Sequence, residues 1–465
     1  MLKLLIEKEL KEIIGSPKFI MMFAISSILI LLTFYVGGIN YKKNIAQHEA
    51  AKLENLRSME GIKDWRLIEH NIYLPPSILA SLVNGISNDI GRNVDMYGRG
   101  EIRPHGSVYN ENPVYAAFRF LDLTFLFQIV LSLFSILFTY NAVNGEKESG
   151  TLRLVFSNSI PRGKYILGKI LGSYAALSIP LIIPFLLGCL VLSVLGIQLK
   201  GSEWFRLALI INAGILFMGV FITLSVFISS VSRRSANSFL LLLVIWIFVI
   251  LVIPRAAVLI SGRFIDVPPI DELNNKKNAY NRELAETVLN KLKTFKADGN
   301  EDLFAQFEKY MEEVNDDKDE KMNSFGSKLD EERKNRQNVQ SDLSLTLARI
   351  SPAAQFSLAS SIIAGTSLTL SQEFLSQAKN YQNVFKTFQQ EKSGGSSGGG
   401  MKMIMVNEGD EPPDIDPTEL PEFVYKEANL DSIIVASLGD FGLLIIYTFI
   451  FFAGAYMAFR RFDLR

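Results

Sequence analysis

Residues 207–229 read LALIINAGILFMGVFITLSVFIS, an apolar stretch without a single Asp, Glu, Lys or Arg. A helix needs about 20 such residues to cross a hydrocarbon core of about 30 Å. In lipid, only helices and closed barrels satisfy their own backbone polar groups. The stretch therefore predicts a transmembrane helix and places the chain among membrane proteins.

Comparable apolar stretches recur on both sides of this one. Together they cover residues 19–36, 121–138, 170–194, 207–229, 239–258 and 438–459. The chain is 49% hydrophobic yet 20% charged, so polar residues must be concentrated between the spans. This alternation is typical of a polytopic membrane protein with soluble domains. We predict an all-α polytopic membrane protein of six transmembrane helices with two extracytoplasmic insertions, the second largely helical.

The predicted organisation follows the spans in order. It comprises an interfacial amphipathic helix (1–18), transmembrane helix 1 (19–37), a first extracytoplasmic domain (38–117), transmembrane helices 2–5 (118–260) with a cytoplasmic loop (141–169), a second extracytoplasmic domain (261–437), and transmembrane helix 6 with a basic cytoplasmic tail (438–465). Within the second domain, residues 393–400 read SGGSSGGG, which predicts a flexible linker.

Basic residues near the span ends set the orientation. Lys and Arg crowd the N-terminus, the loop 141–169, residues 233–234 and the C-terminus, whereas the short loop between spans three and four offers only Lys200 and Arg206. Because short cytoplasmic loops carry the excess of positive charge, both termini are predicted to be cytoplasmic. The predicted location is the cell inner membrane.

The N-terminal segment has the periodicity of an amphipathic helix. Leu2, Leu5, Ile6 and Ile13 share one helical face, and charged residues occupy the other. The pattern predicts a helix lying in the membrane interface. A plain cytoplasmic helix fits it too.

The loop between spans two and three reads NGEKESGTLRLVFSNSIPRGKYILGK over residues 144–169. A short helix that begins near Gly150 would offer Leu152, Val155 and Phe156 as an apolar knob bordered by charge. Such a knob can dock in a cleft of a partner protein and transmit its closure as rigid-body motion. An ordinary basic loop that obeys the positive-inside rule is the plainer alternative.

The same loop resembles that of the permeases of type-2 ABC exporters. Their loop reads Glu, any residue, Glu, any residue, Gly-Thr-Leu, a few apolar residues, then Ser, Pro and a basic residue, and ends Gly-Lys. The resemblance implies that the following residues couple the chain to an ATPase: Glu146, Glu148, Gly150, Thr151, Leu152, Arg153, Val155, Phe156, Pro161 and Arg162. The N-terminal helix is similar to the elbow helix of these permeases.

The resemblance also implies partners. These are an ABC ATPase dimer, which holds ATP and Mg, and a second permease copy or paralogue. The large insertion between spans five and six looks like that of a branch with an enlarged external domain, related to permeases found beside copper-processing and nitrous oxide reductase maturation genes. A periplasmic or envelope protein is a further expected partner.

No catalytic residue, metal site or cofactor is predicted within this chain. Residues 163–169 fit the G-x-x-x-x-G-K pattern, but Ile170 replaces the magnesium-binding Ser or Thr. The acidic stretch 408–416 lacks the ligand spacing of a calcium loop and is predicted to be a solvated linker. The three histidines, His48, His70 and His105, are predicted to be external surface residues.

Charge and small residues add two expectations. The net charge of −1 gives no reason to expect nucleic acid as a partner. The pairs Gly168/Gly172 and Gly454/Ala458 allow close helix approach, either within one bundle or at a dimer seam.

Three functions remain open from the sequence. The bundle could export a hydrophobic or amphipathic cargo, with ATP hydrolysed by a separate chain. ATPase motion could instead be transmitted to an extracytoplasmic partner without translocation. A membrane scaffold or receptor without any transport partner is the third alternative.

Overall fold

The computed structural model describes residues 2–85, 92–96, 104–105, 122–157, 160–294, 303–392 and 415–461. The predicted linker 393–400, most of residues 97–121, almost all of the acidic stretch 408–416 and the last four residues of the tail lie outside this description. The chain forms two compact units, one of residues 1–250 and 352–465 and one of residues 251–351.

The first unit holds most of the helices and the single sheet of the described chain. Its elements are α1 (Leu2–Ile14), α2 (Pro17–Arg57), β1 (His70–Tyr73), α3 (Ile78–Leu82), β2 (Asn93–Met96), β3 (Pro104–His105), α4 (123–139), α5 (Asn144–Glu148), α6 (Thr151–Ser157), α7 (Arg162–Val194), α8 (Gly201–Val231) and α9 (Ser235–Ile247). The second unit contributes α10 (Ile253–Phe264), α11 (Ile270–Lys293) and α12 (Leu303–Ala348), after which the first unit resumes with α13 (Pro352–Ala364), α14 (Thr369–Lys392) and α15 (Leu430–Arg460).

Seven described helical segments are long and apolar enough to cross a membrane. They are Pro17–Arg57, Leu123–Glu148, Arg162–Val194, Gly201–Val231, Ser235–Phe264, Pro352–Lys392 and Leu430–Arg460. Six of them coincide with the predicted spans to within two residues at the ends or extend beyond them. The helical, polytopic fold therefore agrees with the prediction, whereas the count of six is not confirmed, because Pro352–Lys392 also qualifies.

The additional segment is two helices rather than one. Gly365, at φ +72°, ends α13, whose 13 residues extend only about 20 Å. That is short of the roughly 30 Å core. The helix is buried in the bundle, where the Phe356 ring lies 5.5 Å from that of Phe127 and 5.2 Å from that of Phe217.

Arg206 fixes the C-terminal end of α13. Its side chain is buried, and its Nε donates to the carbonyl oxygen of Ile363 at 2.6 Å. Its Nη1 pairs with Glu427 at 2.8 Å, just before α15 begins. The guanidinium thus joins α8, α13 and the entry to α15, a role that its place in the short loop between spans three and four did not indicate.

Two distant parts of the sequence share one hydrophobic core. We call the residues that surround it the sheet domain (58–85, 92–96, 104–105, 369–392 and 415–425). The strands are antiparallel in the order β1-β2-β3, with His70 opposite Met96. Alternate strand residues turn to α14, so Ile72 and Val94 join Phe374 and Phe385 in the core. The first predicted insertion and the end of the second therefore fold together.

His70 lies inside this core, and its interpretation as a surface residue is wrong. The alternation of β1 turns its ring inward, 5.1 Å from the ring of Phe385. Its Nε2 lies 2.8 Å from the hydroxyl oxygen of Tyr381, which itself donates to the Pro421 carbonyl at 2.6 Å. Because the Tyr381 hydroxyl already donates its hydrogen to the Pro421 carbonyl, the His70 Nε2 must donate to the Tyr381 oxygen. Nε2 therefore carries a hydrogen, either in the neutral ring or in the doubly protonated ring. Burial lowers the pKa of His70 from 6.5 to about 4.

Acidification is expected to destabilise the sheet domain. With a pKa of about 4 when folded and 6.5 when unfolded, His70 contributes stability above pH 6.5 that is lost as the pH falls towards 4. The difference between the two pKa values corresponds to a loss of on the order of 3 kcal/mol in the free energy of unfolding. Trp65, which packs on this core, reports its unfolding by fluorescence. His70→Gln keeps a donor without titrating, so the pH 7-to-5 loss should be smaller in that variant; an equal loss in both would contradict the assignment.

The second unit contains an antiparallel helical hairpin. Lys291 of α11 pairs with Asp317 of α12 at 2.8 Å, and Lys277 pairs with Asp330 at 2.7 Å. Residue numbers therefore increase along α11 as the numbers of their partners decrease along α12, so the two helices are antiparallel. Leu273 and Leu284 are the buried residues of α11.

Candidate functional site

Glu146, the first acidic residue of the loop motif, lies at the centre of a charged junction formed by Lys8, Glu9, Glu146, Tyr165 and Lys169. Its carboxylate accepts from Lys8 and Lys169 at 2.8 Å each and from the Tyr165 hydroxyl at 2.6 Å. The Lys169 ammonium also pairs with Glu9. The junction thus joins α1, α5 and α7 through one chain of ion pairs.

Two glycines allow α1 to approach α7 closely enough for these pairs to form. A Cβ on Gly168 would lie 2.8 Å from the Cβ of Leu5, and one on Gly172 would lie 2.5 Å from the Cβ of Glu9. Neither glycine can be replaced by a larger residue without moving α1, because the atoms that the new Cβ would meet are Cβ atoms fixed to the α1 backbone. The Gly168/Gly172 pair therefore packs two helices of the same chain and is not free for a dimer seam.

Most of the junction is removed from water. The exposed fractions of the Lys169 and Glu9 side chains are 5% and 7%, against 47% for Lys8. Burial raises the pKa of Glu9, although the adjacent ammonium opposes that rise. A buried charge is tolerated only when it is paired, so Lys169 and its two carboxylates depend on one another.

The junction also contains a carboxylate group that could attract a cation. Glu9, Glu12 and Glu146 bring one oxygen each within 4.8 Å of one another, and carboxylates are ligands of hard cations. The Lys169 ammonium, however, is bonded to two of these three residues. Its charge occupies the place between Glu9 and Glu146 and offsets part of their negative charge, so the arrangement is that of an ion-pair junction.

Glu148, the second acidic residue of the motif, caps the next transmembrane helix. Its carboxylate accepts from the Ser235 backbone N–H at 2.8 Å and from the Ser235 hydroxyl at 2.7 Å. A carboxylate at a helix N-terminus satisfies free N–H groups and opposes the positive end of the helix dipole. The motif thus ties α5 to α9 as well as to α1 and α7.

The helix α6 carries the central residues of the motif. Gly150, at φ +75°, makes the turn between α5 and α6, and the Thr151 hydroxyl donates to the Glu146 carbonyl at 3.2 Å. Leu152 is only 3% exposed, whereas Leu154 is 69% exposed. Thr151 and Arg153 are also exposed.

The prediction that Leu152, Val155 and Phe156 project outward as a knob is therefore wrong in its geometry. Leu152 belongs to a core with Tyr165 and Phe459, and the other two pack against that core. Seven residues form only two turns of helix, and both turns rest on the bundle. The outward apolar residue is Leu154, which the sequence analysis did not single out.

The end of the motif is joined to the C-terminal helix. The backbone of Pro161 precedes α7 as its N-cap residue, and Nη1 of Arg162 donates to the Phe459 carbonyl at 3.3 Å. A Cβ on Gly163 would come within 3.1 Å of the Tyr456 ring. Residues 162–169, predicted as part of the loop, are the first two turns of α7.

The predicted interfacial helix corresponds to α1. Ile13 is buried and Leu2, Leu5 and Ile6 are half-buried. Leu2 and Leu5 lie beside Gly168. This part of the apolar face is therefore turned to α7 rather than away from the chain. Leu4, 68% exposed, is the most exposed large apolar residue of α1, and Ile14 at its end is also exposed.

Lys169 and Glu9 are the functional candidates that the sequence analysis missed. Lys169 was counted among the basic residues of a cytoplasmic loop, and Glu9 falls beside the apolar stripe of α1. A signal was present, because Lys169 follows Tyr165 by four residues in a run that is otherwise apolar. Such spacing puts both side chains on one helical face.

Comparison with known proteins adds a family and two relatives. Residues 4–464 match the family described as ABC-2 family transporter protein. A probable ABC transporter permease protein NosY of Pseudomonas aeruginosa strain PAO1 is 30% identical over 142 residues, 29% of this chain and 50% of the relative. The protein of the same description from Stutzerimonas stutzeri is 30% identical over 151 residues, 31% of this chain and 54% of the relative. The chain spans about half the length of these curated relatives.

Proposed function

The chain belongs to the ABC-2 family of transporter proteins, and from this membership we propose that it is a permease subunit that couples ATP hydrolysis by a separate ATPase to export of a substrate. The location proposed with it is the inner membrane, with both termini and the loop 141–169 on the cytoplasmic side. An ATPase dimer and a second permease copy or paralogue complete the proposed assembly.

The observation that carries the proposal is the exposed side of α6. Thr151, Arg153 and Leu154 form a small outward surface with one large apolar residue. An exposed leucine beside a basic residue suits a cleft on a partner, where an apolar anchor is buried and a charged rim surrounds it. The ties through Glu146 and Glu148 mean that a push on α6 reaches α1, α7 and α9 together.

The G-x-x-x-x-G-K segment supports placing the ATPase in another chain. Residues 163–170 are helical throughout, whereas a phosphate-binding loop must leave its backbone N–H groups free between a strand and a helix. Lys169 is bonded to Glu9 and Glu146 rather than available for a phosphate. ATP and Mg are therefore proposed to bind the partner.

Co-purification tests the assignment. The detergent-extracted chain, expressed with its neighbouring genes, is expected to recover a Walker-motif ATPase that mass spectrometry identifies. Recovery of a second permease or an envelope protein would define the rest of the assembly. An intact bundle that recovers no ATPase would instead support the scaffold alternative.

Transmission of ATPase motion without translocation is a second candidate, favoured by the length of α2. Its 41 residues extend about 60 Å, roughly twice the hydrocarbon core. One end follows α1 directly, with the Ser16 hydroxyl oxygen accepting from the Phe19 N–H. At the other end Asn55 exchanges two hydrogen bonds with the backbone of Asn71 in β1, at 3.2 and 2.8 Å. A continuous rod thus connects the charged junction to the sheet domain.

Breaking this rod outside the membrane is expected to separate the two candidates. Lys43 is exposed, so Lys43→Pro interrupts the helix, at about 3 kcal/mol, without removing a packed side chain. If α2 transmits the motion, the ATP-dependent changes in hydrogen exchange at residues 70–73 are expected to disappear in the co-purified complex of Lys43→Pro. Its ATPase activity is expected to persist. Lys43→Ala is the matched control. Unchanged ATP-dependent exchange in Lys43→Pro would count against the rod.

A further inference from the structure

An apolar groove lies between α7 and α8, at the end of the bundle that carries Arg206. Its volume is about 320 Å³, and its lining includes Phe185, Cys189, Trp204 and Leu207. Both helices are candidate membrane spans, and Trp204 is 45% exposed. Within its own unit the groove is lined by α7 and α8 alone, so its open side would face lipid where both helices cross the bilayer.

The length and width of the groove indicate what kind of molecule could bind in it. Its lining on α8 runs from Trp204 to Ile215, which is about 16 Å along a helix. A volume of about 320 Å³ over this length makes the groove narrow. A helix with its side chains is about 10 Å across, so its body would stay outside the groove and only single side chains would enter. A single extended acyl chain is narrow enough.

Asn212 adds a polar requirement to the groove. It lines the apolar wall and is exposed, and its side-chain amide has no hydrogen-bond partner among the described residues. An unpaired amide facing hydrocarbon is costly. About 20 residues of a helix cross the hydrocarbon core. If the core begins near Ser230 at one end of α8, its opposite boundary lies at roughly position 210. Asn212 thus lies just inside the boundary, at the level of the glycerol esters of a phospholipid.

We propose that this groove binds one bilayer glycerophospholipid, with an acyl chain along Phe185 and Leu207 and an ester carbonyl accepting from the Asn212 amide. Trp204 lies about 12 Å nearer the end of α8 than Asn212, at headgroup depth, where tryptophan is favoured. By the predicted orientation this is the outer leaflet. The site stands independently of the proposed transport function, because no residue of the charged junction or of α6 contributes to it.

Lipid retention tests the site. The full chain is purified from vesicles of phosphatidylethanolamine and phosphatidylglycerol in a mild detergent, and retained phospholipid per chain is measured by mass spectrometry. Asn212→Leu removes the amide, and Ala208→Phe fills the groove. Both are expected to lower retention roughly tenfold, the effect of one hydrogen bond in lipid or of direct exclusion. Ile183→Phe, on the same helix pair but outside the groove lining, is the control and should retain lipid.

Cys189 provides a second readout, since it is the single cysteine of the chain and lines the groove. Delipidation should accelerate its reaction with N-ethylmaleimide, and adding the same phospholipids back should slow it again in the wild type but not in Asn212→Leu. Equal retention in all folded variants, no retained lipid in the wild type, or crosslinking of groove residues to another protein would overturn the proposal.

Discussion

Replacing Lys169 with methionine is expected to destabilise the chain by about 3–5 kcal/mol, the usual result of removing one partner from a buried ion pair. The methionine has a similar length and causes no steric clash. What it removes is the ammonium between Glu9 and Glu146, so the buried Glu9 carboxylate would lose its partner and Glu146 would keep only the half-exposed Lys8. The expected consequence is release of α1 from α7.

The measurement is thermal unfolding of the purified protein, combined with proteolysis of α1 as a local probe. Lys164→Met is the matched control, because Lys164 is exposed on the first turn of the same helix. The triple variant Lys169→Met, Glu9→Gln, Glu146→Gln removes the carboxylate charges as well and should recover much of the loss. If Lys169→Met behaved like Lys164→Met, the junction would not stabilise the fold.

Leu154→Asp is expected to abolish stable association with the ATPase while leaving the bundle folded. Leu154 is 69% exposed, so a charge there costs the isolated chain little. In a partner's cleft the same charge would be buried unpaired. Loss of an apolar anchor of about 2 kcal/mol corresponds to roughly 30-fold weaker binding, and the unpaired charge would add to this effect.

Leu152→Asp is the informative comparison, because the two residues share one helix but face opposite ways. Leu152 is 3% exposed within the core of Tyr165 and Phe459. A buried aspartate there is expected to unfold the loop end of the bundle and to lose the ATPase only as a consequence. Co-purified ATPase and melting temperature are measured for both variants. Retained ATPase in a folded Leu154→Asp protein would remove α6 as the coupling surface.

The positions of the spans and of the loop were predictable because both depend on local sequence. A run such as 207–229 must be a transmembrane helix wherever it lies in the fold, since every backbone polar group has to be satisfied within the segment. The loop motif was equally visible at 144–169. That α13 would be buried between α8 and α15 was not visible in the local sequence.

The direction in which side chains face was less accessible. The amphipathic pattern around α6 identified Leu152 and Phe156 as one apolar face, and that much is correct. An apolar face of a helix can be turned towards a partner or towards its own bundle, and periodicity is the same in both cases. Only the packing of α6 on Tyr165 and Phe459 decided between them.

The sequence by itself determined that this is a helical membrane protein, where most of its apolar helices run and where the motif of residues 144–169 lies. Tertiary structure alone decided the charged junction, the single core of the sheet domain and the apolar groove between α7 and α8. The physical reason is the range of the interactions. Helix formation and insertion depend on neighbouring residues, whereas Glu9 and Lys169, or Val94 and Phe374, are brought together only when the whole chain has packed.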